Sequence, residues 1–132
     1  MLKLRMPIST REFLEKYWQR KPLLMRGAFS GFRDPVSVDD LKTLAEDPQV
    51  QSRVIVHGRK DDWQVRYGPF GPQGFREFRN SKWTLLVQEV ERMSPDVEGL
   101  RKPFAFLPSW RFDDVMIAYA APGGGVGPHL DN

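Results

Sequence analysis

The feature that most constrains the fold is the segment Asp114-Val115-Met116-Ile117-Ala118-Tyr119-Ala120-Ala121 together with the glycine-rich run after it. Its β-branched and aromatic side chains make it the best strand of the chain. Pro122 ends it, and the run Gly123-Gly124-Gly125-Val126-Gly127-Pro128 leads into His129-Leu130-Asp131, which reads as the start of another strand. Side chains at i and i+2 of a strand share a face. An imidazole at 129 and a carboxylate at 131 can therefore aim at one ion from one rigid segment.

Such a pair, joined by a distant second histidine, makes the facial triad of non-haem iron(II) oxygenases, which leaves positions open on the metal. Imidazole and carboxylate suit iron(II) better than calcium. The chain has no cysteine, which removes thiolate zinc sites, disulfides and cysteine nucleophiles together. A bare His-x-Asp arises often by chance. Its weight here comes from the strand and the glycine turn ahead of it, since glycines let the backbone approach other groups closely.

The rest of the chain divides into helices first and strands afterwards, which points to a mixed α+β fold. Ser9 with Glu12 is a capping-box pattern, and Phe13, Leu14, Tyr17 and Trp18 follow at helical spacing up to Lys21-Pro22. Pro22-Leu23-Leu24-Met25-Arg26 reads as a short buried strand. Ser37 caps a second helix whose buried face is Val38, Leu41, Leu44 and Ala45, with Asp39 and Asp40 in its first turn. Ser52 to His57 reads as a strand. Gly58-Arg59-Lys60-Asp61-Asp62 is a turn, and Trp63, Val65 and Tyr67 alternate with Gln64 and Arg66, so the two segments form an antiparallel hairpin. Gly68 to Gly74 is loop. Trp83, Leu86, Val87, Val90 and Met93 share a helical face, predicting a helix over Trp83–Met93. Pro103 to Trp110 is irregular and apolar.

At 132 residues the chain is one domain's worth, and no apolar run reaches the roughly 20 residues that a membrane span needs. No secretory signal opens the sequence. The absence of cysteine fits a cytoplasmic protein. The net charge is +3 and the basic residues are scattered, so no direct nucleic-acid binding is expected.

Trp110-Arg111-Phe112-Asp113-Asp114-Val115-Met116-Ile117, followed by Pro122 to Asp131, closely resembles the bacterial ribosomal oxygenases of the JmjC/cupin type. Phe13 to Leu23, Trp63 to Phe70 and Trp83 to Gln88 agree with that resemblance, which covers essentially the whole chain. It implies an iron(II)- and 2-oxoglutarate-dependent dioxygenase that hydroxylates an arginine of a large-subunit ribosomal protein. It implies residues 1–50 as a mainly helical part and 51–132 as the first strands of a double-stranded β-helix, a jelly roll left incomplete. His129 and Asp131 become two of three metal ligands. The family's third ligand, a histidine, lies downstream of His-x-Asp, as does the basic residue that holds the far carboxylate of 2-oxoglutarate. This chain has neither, and its other histidine, His57, matches no ligand position. The chain as given is therefore expected to be an inactive N-terminal fragment.

Two other functions stand beside this one: a non-catalytic module that docks on ribosomal components, and a cupin metalloenzyme of different chemistry. The strand from Val115 to Ala121 would leave an apolar edge open, which predicts a homo-oligomer. Asp113 and Asp114 are read as flanking that strand rather than binding a basic ligand. Trp18, Trp63, Trp83 and Trp110 are read mostly as core, and Arg111 as a solvated or ion-paired cation.

Overall fold

Ser9 and Ser37 each open a helix. The first, α1, spans Thr10–Lys16, and the Ser9 hydroxyl accepts the Glu12 N–H at 3.1 Å. The second, α2, spans Val38–Leu44, where Ser37 and Asp40 cap each other reciprocally. Such a cap satisfies helix-end donors that would otherwise lack partners. These are features of a computed structural model that describes residues 2–60 and 62–130. Asp131 falls outside the described residues, as do Met1, Asp61 and Asn132.

The strand expected over Pro22–Arg26 does not form. Between the two helices the chain is irregular, and the isolated antiparallel bridge Leu4–Phe29 ties it to the N-terminal segment. Leu24 is 72% exposed, so this apolar run lacks the burial that would make it a strand.

Among the described residues four strands follow: β1 (Ser52–His57), β2 (Trp63–Tyr67), β3 (Lys82–Val87) and β4 (Ile117–Ala120). They form one antiparallel sheet in the order β2-β1-β3-β4. The hairpin of β1 and β2 has the expected bounds. The helix expected over Trp83–Met93 is instead β3, followed by a 3-10 turn at Val90–Arg92 and the short helix α3 at Pro95–Glu98. The reason is position. β3 runs between β1 and β4, and Trp83, Thr84, Leu85, Leu86 and Val87 are all buried. A strand covered on both faces has no apolar–polar alternation, so its apolar run mimics a helical face.

The sheet has two unlike faces. Val54 and Val56 of β1, Trp83, Leu85 and Val87 of β3, and Ile117 and Tyr119 of β4 pack with Leu41, Ala45, Phe70, Phe78, Val90 and Val97 into the core. The opposite face carries Arg53, Ile55 and His57, Thr84 and Leu86, Ala118 and Ala120, and Trp63, Val65 and Tyr67, as the pairing register requires. It is open at its β2 end, where Val65 is 45% and Tyr67 75% exposed. The sheet does not close into a barrel, and β2 and β4 are its two edges. No helix among the described residues is long and apolar enough to cross a membrane.

Candidate metal site

The site is built on the open face of the sheet. β4 ends in a turn, Ala121-Pro122-Gly123-Gly124, closed by the Gly124 N–H donating to the Ala121 carbonyl at 2.7 Å. Proline at the second position and a glycine with φ +77° at the third give it type II geometry. The chain then reaches Gly127, which packs on the indole of Trp63 at the start of β2. A Cβ there would lie 3.0 Å from Trp63 Cε2 and 3.2 Å from Cδ2. Gly127 also has φ +73°, a left-handed conformation that glycine alone adopts without strain.

Two residues on, His129 stands at the wall of a cavity of about 400 Å³. Its other walls include Arg53, Ile55, Leu86, Ala118 and Val126. The His129 Nδ1 lies 3.0 Å from the Gly127 carbonyl oxygen. A carbonyl oxygen only accepts, so this contact selects the tautomer with its proton on Nδ1. With Nδ1 so held, Nε2 is the nitrogen that a neutral ring would offer to a metal, the arrangement in which a backbone carbonyl fixes a ligand imidazole. His129 and Leu130 join no strand, contrary to the sequence expectation. The expected ligand Asp131 lies outside the described residues, so the shared face of positions 129 and 131 is an argument from sequence only.

Among the described residues no group of three or more His, Cys, Asp and Glu side chains gathers in one place. What the described residues supply is one oriented imidazole beside an apolar cavity, and that fits part of a facial triad. His57 is not one of the cavity's walls. Its ring stacks on Trp63, with centroids 4.1 Å apart and planes 4° from parallel.

Arg53 brings the cavity a positive charge. Its guanidinium donates to the Gln88 side-chain oxygen at 3.2 Å and meets the Met116 sulfur at 4.0 Å. Both partners are neutral, so an anion entering the cavity would meet a cation that these contacts do not neutralise.

Of the remaining sequence candidates, Asp114 has a structural task. Asp114 accepts the Glu89 N–H at 3.0 Å, and Glu91 accepts the Val115 N–H at 2.9 Å, which pins the entry to β4 against the turn after β3. Asp113 is exposed. Trp83 is core, at 7% exposure, and Trp18 is half-buried. Trp110 is 73% exposed, with the Arg111 guanidinium 4.4 Å above its ring. Arg111 therefore stacks on its neighbour. Sequence reasoning misses Trp63 as a support of the glycine loop and Arg53 as a wall of the cavity. Strand alternation places Trp63 on one face of β2, but nothing in it tells what crosses that face.

No family model matches the chain. Among curated proteins it is 43% identical over 120 residues to the ribosomal protein uL16 3-hydroxylase of Escherichia coli (strain K12), covering 91% of this chain and 31% of that protein. It is 36% identical over 124 residues to a probable ribosomal oxygenase of Haemophilus influenzae, covering 94% of this chain and 30% of that protein. Among solved structures it matches YcfD, a ribosomal oxygenase from Escherichia coli in complex with cobalt and 2-oxoglutarate. That match has a TM-score of 0.89 at 40% identity, over 99% of this chain and 35% of the other. The same protein with cobalt and succinic acid matches equally, at a TM-score of 0.89. The chain thus spans about a third of the length of the proteins it matches. Its fold is α+β, with helices leading into the first strands of an unclosed jelly roll.

Proposed function

We propose, from the premise that this chain is a homologue of the ribosomal oxygenases across about a third of their length, that it contributes the metal-binding strand region of a 2-oxoglutarate-dependent dioxygenase. The substrate is an arginine side chain of a large-subunit ribosomal protein, uL16 by analogy with the Escherichia coli relative. The work is cytoplasmic, involves no direct nucleic-acid contact, and is carried out by a homo-oligomer.

One observation carries this reading. His129 is oriented by the Gly127 carbonyl at the wall of a largely apolar cavity, in a chain whose relative YcfD holds cobalt with 2-oxoglutarate. In the proposal His129 and Asp131 hold iron(II). When bound, the metal supplies dioxygen activation coupled to oxidative decarboxylation of 2-oxoglutarate. The protein's residues do the rest. The Gly127 carbonyl keeps the imidazole in its ligating tautomer. Ile55, Leu86, Ala118 and Val126 give the cavity its apolar walls. Arg53 draws an anionic cosubstrate toward the metal.

The chain has two histidines, and His57 is engaged with Trp63. No third ligand of the expected type therefore reaches the site from the described residues, and the 132-residue chain alone is expected to give no turnover. The rival readings, a non-catalytic docking module and a different cupin enzyme, draw no support from a relative that is named a hydroxylase.

The test is succinate formation by the intact protein that carries this chain, with iron(II), 2-oxoglutarate and uL16, read together with mass spectrometry of uL16. The expected result is a gain of one oxygen on an arginine, lost in His129→Ala. Unmodified uL16 would overturn the substrate assignment. Turnover that survives in His129→Ala would overturn the site.

A further inference from the structure

We infer that Trp63 is a positioning residue for His129, acting through the backbone of Gly127. The inference rests on the reading of His129 as a metal ligand, which it deepens.

Three contacts form a continuous path. The His57 ring stacks on the Trp63 indole at 4.1 Å and 4°. Gly127 lies against the indole's two fusion carbons, since a Cβ there would be 3.0 Å from Cε2 and 3.2 Å from Cδ2. A Cβ so near both fusion carbons would lie over the ring, so the side of Gly127 that a side chain would occupy faces the indole. A Cβ added at Gly125 would likewise come within 3.8 Å of Cη2 of the same ring. The carbonyl of Gly127 then accepts from His129 Nδ1 at 3.0 Å.

The indole therefore limits the height at which the loop crosses the sheet. That height sets where the Gly127 carbonyl points, and the carbonyl holds His129 Nδ1 at 3.0 Å. Strand register supplies the rigidity. Trp63 pairs with His57 across β1 and β2, so both rings rise from the same face of the hairpin. A large flat side chain with two side-chain torsions gives a firm floor at small entropic cost. The contact also explains a requirement for glycine at 127 beyond its positive φ, because any side chain there would run into the ring.

A purely structural Trp63 would stabilise the hairpin and leave the state of His129 alone. A positioning Trp63 changes the tautomer. With two histidines in the chain, nitrogen-15 labelling of histidine gives two imidazole spin systems to assign. Wild type and variants are compared at one fixed pH, so that a difference in the His129 signals reports on the substitution alone.

In the wild-type chain His129 is expected as the Nδ1–H tautomer. Trp63→Phe keeps an aromatic face and is expected to keep that tautomer. Trp63→Leu is expected to move the two His129 nitrogen shifts away from their wild-type values. It is also expected to weaken Mn(II) binding at His129 by ~10-fold, the lower end for loss of a ligand-orienting contact. An unchanged His129 tautomer in a folded Trp63→Leu chain overturns the inference. If Trp63→Leu unfolds the hairpin, Gly127→Ala decides, since it lifts the loop off the ring while leaving Trp63 in place. A wild-type tautomer in Gly127→Ala overturns the inference equally. Failure of the underlying reading looks different: Trp63 variants change the tautomer, but added Mn(II) leaves the His129 signals of the wild-type chain untouched.

Discussion

Gly127 rests on the indole of Trp63 so closely that a Cβ at 127 would lie 3.0 Å from Cε2. The glycine run before His129 is thus fitted to a ring from the far edge strand of the sheet. Replacing Gly127 by alanine adds that contact and asks a non-glycine residue to hold φ +73°. The left-handed conformation alone costs about 1–2 kcal/mol. Denaturant unfolding of Gly127→Ala is expected to show a loss of at least that size, and wild-type stability would mean that the loop shifts freely off Trp63.

Asp114 and Glu91 form a reciprocal clamp. One accepts the Glu89 N–H and the other the Val115 N–H, at 3.0 and 2.9 Å. Glu89 sits at φ 54°, so its backbone needs an external restraint. Asp114→Ala leaves that amide without its charged acceptor, and hydrogen bonds to charged groups contribute about 1.5–3 kcal/mol. A midpoint shift of that order in urea unfolding is expected, together with faster hydrogen exchange at Glu89.

Leu85 lies at the centre of the sheet and is fully buried between its neighbours on β1 and β4. Truncation to alanine leaves a cavity in a close-packed region. Leu85→Ala is expected to cost ~2–5 kcal/mol, read as a fall in thermal midpoint. The same change at exposed Leu24 is expected to leave the midpoint within error, since its side chain is 72% accessible.

β4 is an edge strand in this chain, and Met116 ahead of it is 43% exposed. Open edges template pairing with further strands. Sedimentation equilibrium of the chain is expected to show association that grows with concentration, and lysine at Ala118 or Ala120 is expected to reduce it. A monomer at high concentration would count against association through this edge.

The parts of the fold legible in the sequence are those that carry a local pattern. The hairpin of β1 and β2 is readable because Trp63, Val65 and Tyr67 alternate with polar residues, and α2 because Ser37 reads as a cap with Asp39 and Asp40 in the first turn. β3 is not, because a central strand buried on both faces loses its alternation, and Trp83, Leu86, Val87 and Val90 then satisfy a helical spacing equally well. Half of the candidate site is readable, since the glycine run and His129 are contiguous. The supports are not. Trp63 and Arg53 reach His129 only through sheet register and a loop that crosses the face, and neither relation leaves a local pattern. Trp110 escapes for a simpler reason, since an aromatic residue in an irregular segment carries no periodicity to say which side it faces.

The central claim is that His129 is a metal ligand while His57 is a structural ring. Histidine-labelled chain titrated with Mn(II) tests it directly, because paramagnetic broadening reports proximity to the ion. The account expects the His129 imidazole signals to broaden first, at Mn(II) levels that leave His57 sharp, and expects Asp131→Ala to reduce the effect. Equal broadening of both rings, or of neither, would contradict it.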